Sequence, residues 1–225
     1  MTDCRYTLSA LGDSAVVINF GREISTELND LALAAAAAFE QNPFHGFVEA
    51  APAYASITVF YDLIKVRIAY PEFVTAFDAV AEIIRSVLAS IDASTERSQP
   101  VIEISVEFGG EDLPYVAEFA AATIEETIEI FLTRIYRVYM LGFLPGFAYM
   151  GDVDERIAAP RKSQPRLRVP KGSVGIANRQ TGIYPFDSPG GWQLIGRTTV
   201  EMFRPKEQSI CLLAPGDSVR FVRAN

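Results

Sequence analysis

Hydrophobic residues in the first part of the chain follow two different spacings. Two short β-prone runs, 6–11 and 14–20, are separated by a Gly-Asp pair that is typical of a hairpin turn. Apolar residues then recur every three or four positions, at Leu28, Leu31, Ala35 and Phe39. This spacing predicts a helix that Ser25 caps and that Pro43 ends.

The same alternation of strand and helix patterns continues beyond this helix. Residues 47–62 give two strand candidates, interrupted at Pro52. Pro71 suits the first turn of a second helix, whose apolar stripe begins at Phe73. Two helices among four or five strands predict a ferredoxin-like α+β domain over residues 1–91.

The polar stretch 92–100 contains few apolar residues and ends in proline, so it is predicted to be a linker. It separates the first domain from a second one at 101–225. The second domain opens with a predicted strand over 101–108, whose first half alternates apolar and polar residues.

Two helices are expected after this strand, the first near Pro114. The second opens with Thr123 and Glu126, three positions apart as in a capping box. Its predicted buried face consists of residues at helical spacing: Ile128, Phe131, Ile135, Val138 and Tyr139. The helix is expected to end at Gly142.

Beyond this point glycine and proline dominate the pattern. Nine of the 15 glycines and six of the 13 prolines lie between positions 142 and 196, with short β-prone pieces between them. Many short strands punctuated in this way predict a compact barrel or sandwich.

Composition narrows the classes of function. The chain of 225 residues carries a net charge of −8, and an acidic surface repels phosphate backbones, so no nucleic-acid partner is expected. No stretch reaches the roughly 18 uncharged apolar residues of a membrane helix, so no membrane association is expected. The start lacks a secretory signal, and Cys4 and Cys211 lie in settings typical of buried thiols. Together these features predict a cytoplasmic protein.

One segment reverses the overall charge, because no Asp or Glu occurs from Arg156 to Phe186. Seven cationic residues lie there: Arg156, Arg161, Lys162, Arg166, Arg168, Lys171 and Arg179. Arg166 and Arg168 point to the same side if their segment is a strand, and two guanidiniums on one face suit a carboxylate or phosphate. The alternatives are an acidic protein face as partner, or a solvated basic edge that prevents strand pairing.

Familiar catalytic motifs are missing from the sequence. It contains no GxxxxGK[ST] phosphate loop, no GxGxxG and no GxSxG nucleophile elbow. The single histidine, His45, lies in a loop and is expected to be solvated or to act as a cap. Neither zinc chemistry nor Ser-His-Asp hydrolysis is predicted, and no metal site is expected.

Two glycine-rich stretches combine aromatic residues with turn formers: "GFLPGFAYMG" (142–151) and "YPFDSPGGWQLIGRT" (184–198), which holds the only tryptophan. Their aromatic side chains either fill a gap in the core at a turn or form a pocket wall beside glycine backbone. For Trp192 a pocket lip or subunit interface is favoured over a purely structural corner.

These stretches, together with "PRKSQPRLRVPKGSVGIANRQTG" and the terminal "LLAPGDSVRFV", resemble the allophanate hydrolase subunit 1 family, also known as the Kip-inhibitor (KipI) family. The match is dense over 140–222 and looser elsewhere, where "GGEDLPYVAEFA" resembles the family's "GGxxGPDLxxVA". The resemblance implies an N-terminal α/β domain and a C-terminal cyclophilin-like β-barrel.

The family includes the B subunit of bacterial ATP-dependent 5-oxoprolinase. The resemblance therefore implies one component of a multi-subunit enzyme that opens the lactam of 5-oxoproline to glutamate. The implied partners are a second cyclophilin-like subunit of carboxyltransferase type (the C subunit of 5-oxoprolinase, or allophanate hydrolase subunit 2) and an A subunit of LamB/YcsF type. ATP is implied as the cofactor of the complex and a small-molecule anion as its substrate. The alternative within the same family is a KipI-like regulatory protein that inhibits a sensor histidine kinase.

Candidates for substrate binding or a subunit interface follow from these stretches: Phe147, Arg166, Arg168, Gln180, Tyr184, Trp192, Gln193 and Arg197. No catalytic residue is assigned. Thr133 stands where many relatives carry a histidine, so the resemblance leaves open whether activity needs that histidine.

Overall fold

The computed structural model describes residues 6–91 and 100–224. The chain divides into two compact units, 1–97 and 98–225. Of the predicted linker only the last residue is described, and Cys4 also lies outside the described residues.

The first unit contains a four-stranded antiparallel sheet with the strand order β1-β2-β4-β3. In chain order its elements are β1 (Thr7–Ala10), β2 (Ala15–Asn19), α1 (Thr26–Gln41), β3 (Phe47–Pro52), β4 (Ser56–Tyr61), α2 (Leu63–Ala69) and α3 (Ala76–Ser90). The α+β class is confirmed. The order ββαββαα differs from the βαββαβ order of a ferredoxin-like domain, so that finer prediction is not confirmed.

Alternation along β4 builds the core of this unit. Ile57, Val59 and Tyr61 are buried, while the residues between them are only half-buried. Phe39 of α1 and Ile84 of α3 belong to the same buried cluster. Complete burial of side chains of this size stabilises by about 1.5–3 kcal/mol each relative to exposure, so the period-two and helical patterns in the sequence meet in one core.

Both predicted ends of α1 are confirmed. The Ser25 hydroxyl accepts a hydrogen bond from the backbone N–H of Leu28 at 3.2 Å, and the helix ends at the Asn42 cap directly before Pro43. The apolar stripe therefore marks a real helix with a side-chain cap at its start.

The second predicted helix starts five residues later than expected. The structure places an additional short helix, α2, after the Asp62 cap and begins α3 at Ala76 rather than at Pro71. Thr75 and Asp78 form a capping box there, with side chains and backbone N–H groups bonding reciprocally. The box satisfies the backbone N–H groups of Thr75 and Asp78, which a proline side chain cannot do because it has no hydrogen-bond acceptor. It therefore determines the start of α3.

The second unit contains a closed barrel of seven strands, in the order β10-β7-β6-β13-β5-β12-β9, and a separate two-stranded ribbon, β11-β8. Its elements are β5 (Val101–Phe108), α4 (Leu113–Phe119), α5 (Ile124–Leu132), β6 (Ile135–Leu141), β7 (Ala148–Gly151), a 3₁₀ turn (Glu155–Ile157), β8 (Arg166–Val169), β9 (Ser173–Ala177), β10 (Gln180–Ile183), β11 (Ser188–Gly190), β12 (Gln193–Arg197) and β13 (Ser218–Arg223). Of the two alternatives left open, barrel or sandwich, the structure shows the barrel.

The predicted single helix running to the aromatic loop is wrong. The capping box of α5 is present, but the helix ends at Leu132 and the strand β6 begins at Ile135. Tyr136 and Val138 point inward with a period of two. β-Branched and aromatic residues favour a strand wherever partners are available, and β6 pairs with both β7 and β13. The helical spacing of its apolar residues was a coincidence.

Thr133 is thereby placed at the C-terminal cap of α5. Its side chain is exposed, and its hydroxyl donates a hydrogen bond to the carbonyl oxygen of Ile130 at 2.9 Å. In this chain the position contributes to a helix end.

Candidate functional site

Phe147 lies at the centre of an aromatic cluster in the second unit. Its ring meets those of Tyr149, Tyr184 and Trp192 edge-on, at centroid distances of 4.8, 5.3 and 5.4 Å. Edge-to-face pairs contribute about 0.5–1.5 kcal/mol each beyond the area they bury. Phe147 and Trp192 are only 1% and 4% exposed, so these rings pack as tightly as a core.

Glycines allow the backbone to approach this cluster closely. Gly146 has a φ of +81°, and a β-carbon there would lie 2.9 Å from the carbonyl oxygen of Met202. A β-carbon at Gly190 would collide with the Tyr184 hydroxyl. Both positions therefore need glycine, which holds the aromatic loop and the turn before Trp192 in place.

An open cavity of about 250 Å³ lies against these rings. We call it the aromatic cleft; its principal lining residues are Phe147, Tyr149, Arg161, Lys162, Tyr184 and Trp192. The exposed ring of Phe143 and the prolines and glycines of the neighbouring turns complete the wall. Trp192 thus packs in the buried cluster and also lines the cavity, and its role as a pocket lip or subunit interface stays a prediction.

Arg161 brings a positive charge to this cleft. Its guanidinium carbon lies 5.6 Å from the centroid of the Trp192 ring, within cation–π range. Burial raises the pKa of Tyr149 and of Tyr184, and the charge of Arg161 offsets only part of that rise. Both phenols are therefore neutral near pH 7, and Arg161 makes the cleft electropositive.

A buried carboxylate, Asp112, lies beside the cleft residues. Both of its oxygens are 2.6 Å from Nη2 of Arg166, and Oδ1 is 3.1 Å from Nζ of Lys162. Oδ2 also accepts the backbone N–H of Leu194 at 2.7 Å. Arg166 in turn donates from Nη1 to the carbonyl oxygen of Trp192 at 3.3 Å. We call these five residues the Asp112 network.

The network ties together parts of the chain that are far apart in sequence. Asp112 is the cap residue of α4, yet its side chain makes no capping bond because its oxygens face Arg166 on β8 and Leu194 on β12. Glu111 adds an ion pair to the same guanidinium. Removing one member of a buried ion pair lowers the free energy of unfolding by about 3–5 kcal/mol. The network therefore fixes the backbone at Trp192 and Leu194.

Arg168 has a different partner from Arg166, although both lie on β8. Its Nε and Nη2 donate to Oδ2 of Asp187 at 2.9 and 2.6 Å. Asp187 also accepts the backbone N–H of Lys171 at 2.7 Å, and these bonds hold the pKa of its carboxyl below the usual range. Both arginines of β8 are therefore paired with carboxylates from outside the acid-free segment.

The remaining predicted residues lie at three separate positions. The amide nitrogen of Gln193, which is 4% exposed, donates to the carbonyl oxygen of Pro160 at 2.7 Å. Gln180 is half-buried at the start of β10. Arg197 donates from Nε to the carbonyl oxygen of Lys171 at 3.0 Å and lines a second cavity of about 490 Å³. Tyr184 lines both cavities.

The structure therefore gathers Phe147, Tyr184 and Trp192 at the aromatic cleft, with Arg166 in the adjoining network. Arg168 and Arg197 make their contacts elsewhere, and the roles predicted for all these side chains stay predictions. Sequence reasoning missed Asp112 and Arg161. The only signal for Asp112 was its place in the family-like stretch before α4, and nothing distinguished Arg161 from the cations around it.

Among the residues that the structure describes, no group of three or more His, Cys, Asp or Glu side chains is arranged to hold a metal ion. Residues 6–91 and 100–224 contain no helix that is long and apolar enough to cross a membrane.

Comparison with known sequences places these features in a family. The profile of the "Carboxyltransferase domain, subdomain C and D" family matches residues 6–213. The B subunit of 5-oxoprolinase from Bacillus subtilis (strain 168) is 48% identical over 223 residues, which cover 97% of this chain and 93% of that protein. The B subunit of 5-oxoprolinase from Escherichia coli O157:H7 is 48% identical over 124 residues, or 54% of this chain and 57% of the relative.

Solved structures share the fold. The crystal structure of TTHA0988 superposes with a TM-score of 0.82 at 36% identity, over 94% of this chain and 40% of that longer chain. The Kluyveromyces lactis urea amidolyase superposes with a TM-score of 0.77 at 17% identity, over 98% of this chain and 15% of that one, a likeness of fold alone. Because the profile spans most of the chain and the Bacillus relative aligns almost from end to end, the resemblance drawn from the motifs is confirmed, and the chain belongs to the carboxyltransferase domain family of subdomains C and D.

Proposed function

We propose that this chain is the B subunit of a multi-subunit, ATP-dependent 5-oxoprolinase, which hydrolyses the lactam C–N bond of 5-oxo-L-proline to give L-glutamate. The observation that carries the proposal is the 48% identity to a 5-oxoprolinase B subunit over 97% of this chain. Identity at that level over 97% of this chain and 93% of the relative supports a shared role more strongly than the fold does, because one fold hosts many activities.

The aromatic cleft supports a binding role for this chain within such an enzyme. Its wall offers apolar ring surface from exposed Phe143, a neutral phenol from half-buried Tyr149 and positive charge from Arg161. The buried cluster of Phe147, Tyr184 and Trp192 lies behind this surface. A small ring that carries a carboxylate matches this combination. The contribution of the chain is then to bind and orient the substrate, while the groups that activate the lactam come from the assembled enzyme.

The partners we propose are a companion subunit of carboxyltransferase type and a LamB/YcsF-type subunit, with ATP consumed by the complex. The counterpart of this chain in TTHA0988 makes up only 40% of a longer polypeptide. A fused arrangement of that kind is consistent with a domain that works beside another one. We also infer that the seven-stranded barrel is of the cyclophilin-like type, since the family resemblance implies it.

The test is 5-oxoproline-dependent ATP hydrolysis, measured with this chain alone and then with the two companion subunits. We expect no turnover by the chain alone and turnover in the mixture, with glutamate formed in step with ADP. Omission of this chain from the mixture is the control.

If the three folded, associated proteins fail to turn over 5-oxoproline, the proposal is wrong. The next measurement is then autophosphorylation of a sensor histidine kinase with and without this chain, since the family also offers an inhibitory role. A mixture that works equally well without this chain likewise contradicts its role as a required subunit.

A further inference from the structure

Arg161 differs from the other cations of the basic segment. Six of the seven cationic side chains form ion pairs: Arg156 with Asp154, Lys162 and Arg166 with Asp112, Arg168 with Asp187, Lys171 with Glu201, and Arg179 with Glu155. Among the residues that the structure describes, Arg161 has no carboxylate partner. It lies instead over the Trp192 ring at the cleft.

This position leaves Arg161 able to bind a ligand. A guanidinium carries five N–H donors in one plane, and no carboxylate among the described residues engages those of Arg161. Arg161 is exposed and lines the cavity, whereas the ammonium of neighbouring Lys162 is engaged by Asp112 at 3.1 Å. Arg161 is therefore the cleft cation whose charge is not already compensated.

Size and wall chemistry limit what the cleft can hold. Its volume of about 250 Å³ falls just below the roughly 300–1,000 Å³ of pockets that take drug-sized ligands, so a smaller molecule fits. The exposed ring of Phe143 offers flat apolar surface at this wall, and Pro165 and Pro189 add to it. Trp192 lines the cavity only with the 4% of its surface that stays exposed. Such a wall suits the face of a small ring, with an anionic substituent directed toward Arg161.

We propose that the aromatic cleft binds a small ring-bearing carboxylate and that Arg161 pairs with the carboxylate group. The inference rests on the proposed function to the extent that 5-oxo-L-proline is such a molecule. It goes further by identifying the cavity and a specificity-determining residue that differs from the two arginines favoured by the sequence pattern, Arg166 and Arg168.

The experiment uses the fluorescence of Trp192, the only tryptophan of the chain, as a reporter in the cleft wall. The full-length chain is titrated with cyclopentanecarboxylate, which has the ring and the carboxylate but no lactam, and separately with 5-oxo-L-proline. We expect a saturable change with both acids. Arg161→Ala should weaken both apparent affinities tenfold or more, and Arg161→Lys should restore part of the loss.

Two controls isolate the role of the carboxylate and of this particular cation. Pyrrolidin-2-one, a lactam without a carboxylate, should bind weakly and equally to the wild-type chain and to Arg161→Ala. Arg156→Ala removes an exposed arginine of the same segment that pairs with Asp154 outside the cleft. We expect it to bind both acids like the wild type.

The inference is overturned if neither acid gives a saturable change with the wild-type chain, or if Arg161→Ala binds both acids as tightly. A variant that changes only the starting fluorescence, and no affinity, shows that Arg161 merely stacks on the indole. If cyclopentanecarboxylate binds in an Arg161-dependent way but 5-oxo-L-proline does not, the cleft inference is supported and the proposed substrate is contradicted. If the assembled enzyme hydrolyses 5-oxoproline with an unchanged KM in Arg161→Ala, the function stands and the cleft inference fails.

Discussion

The Asp112 network and the aromatic cleft share Lys162 and Trp192, yet they handle charge in opposite ways. In the network a carboxylate that is 6% exposed faces two cations and a backbone N–H. In the cleft the exposed guanidinium of Arg161 faces an indole and solvent. A buried charge needs a permanent partner because it has lost its hydration. An exposed charge is solvated by water and can therefore stay unpaired until a ligand binds. Burial therefore separates the cations of the Asp112 network from Arg161, which remains available.

The largest expected effect comes from breaking the network. Asp112→Ala removes the buried carboxylate and leaves the N–H of Leu194 without its acceptor. The partly buried guanidinium of Arg166 then keeps only the exposed Glu111 and the carbonyl oxygen of Trp192 as partners. We expect the free energy of unfolding of the second unit to fall by about 3–5 kcal/mol. Urea denaturation followed by Trp192 fluorescence measures it, because the only tryptophan lies in that unit.

The matched control is the adjacent Glu111→Ala. Glu111 also pairs with Arg166, but its side chain is 61% exposed, so we expect a loss of less than about 1 kcal/mol. Equal losses in the two variants would show that burial does not determine the strength of these contacts.

A smaller effect on stability is expected on the cleft side. Arg161→Ala removes one exposed cation–π contact, which contributes about 0.5–1 kcal/mol, and leaves no buried group unsatisfied. The urea midpoint should therefore stay close to that of the wild type while binding of ring carboxylates is lost. A destabilisation as large as that of Asp112→Ala would mean that Arg161 is structural, and the contrast between the two regions would not hold.

The smallest effect concerns Asp187, the exposed counterpart of Asp112. The backbone N–H of Lys171, first, and then the Arg168 side chain lower the pKa of its carboxyl. A depressed folded-state pKa contributes stability that is present above the unfolded value of about 3.9 and is lost as the pH falls through the folded value. In Arg168→Ala we expect the pKa to rise only part of the way, because the Lys171 bond remains.

NMR titration of the Asp187 carboxyl in the wild type and in Arg168→Ala checks this expectation. A pKa that returns fully to the usual aspartate value would assign the whole shift to Arg168. A pKa that does not move would show that the exposed ion pair contributes nothing.

Local signals were predicted best. The Ser25 cap and the Thr123–Glu126 capping box involve residues three positions apart, so sequence spacing alone defines them. The same holds for the aromatic loop, in which Phe147 and glycine are neighbours in the chain. The strand β6 was mistaken for helix because its apolar residues fit either period, and pairing with β7 and β13 distinguished between them.

Charge pairing around the cleft likewise could not be predicted from patterns along the chain. Patterns along the chain were enough to establish the family, the α+β class, a glycine- and proline-rich β region and the aromatic residues that line the cleft. The folded arrangement was needed to show that Asp112, 54 positions before Arg166, neutralises it, and that Arg161 has no such partner among the described residues. Ion pairing depends on distance in space and on burial, and neither can be read from sequence separation.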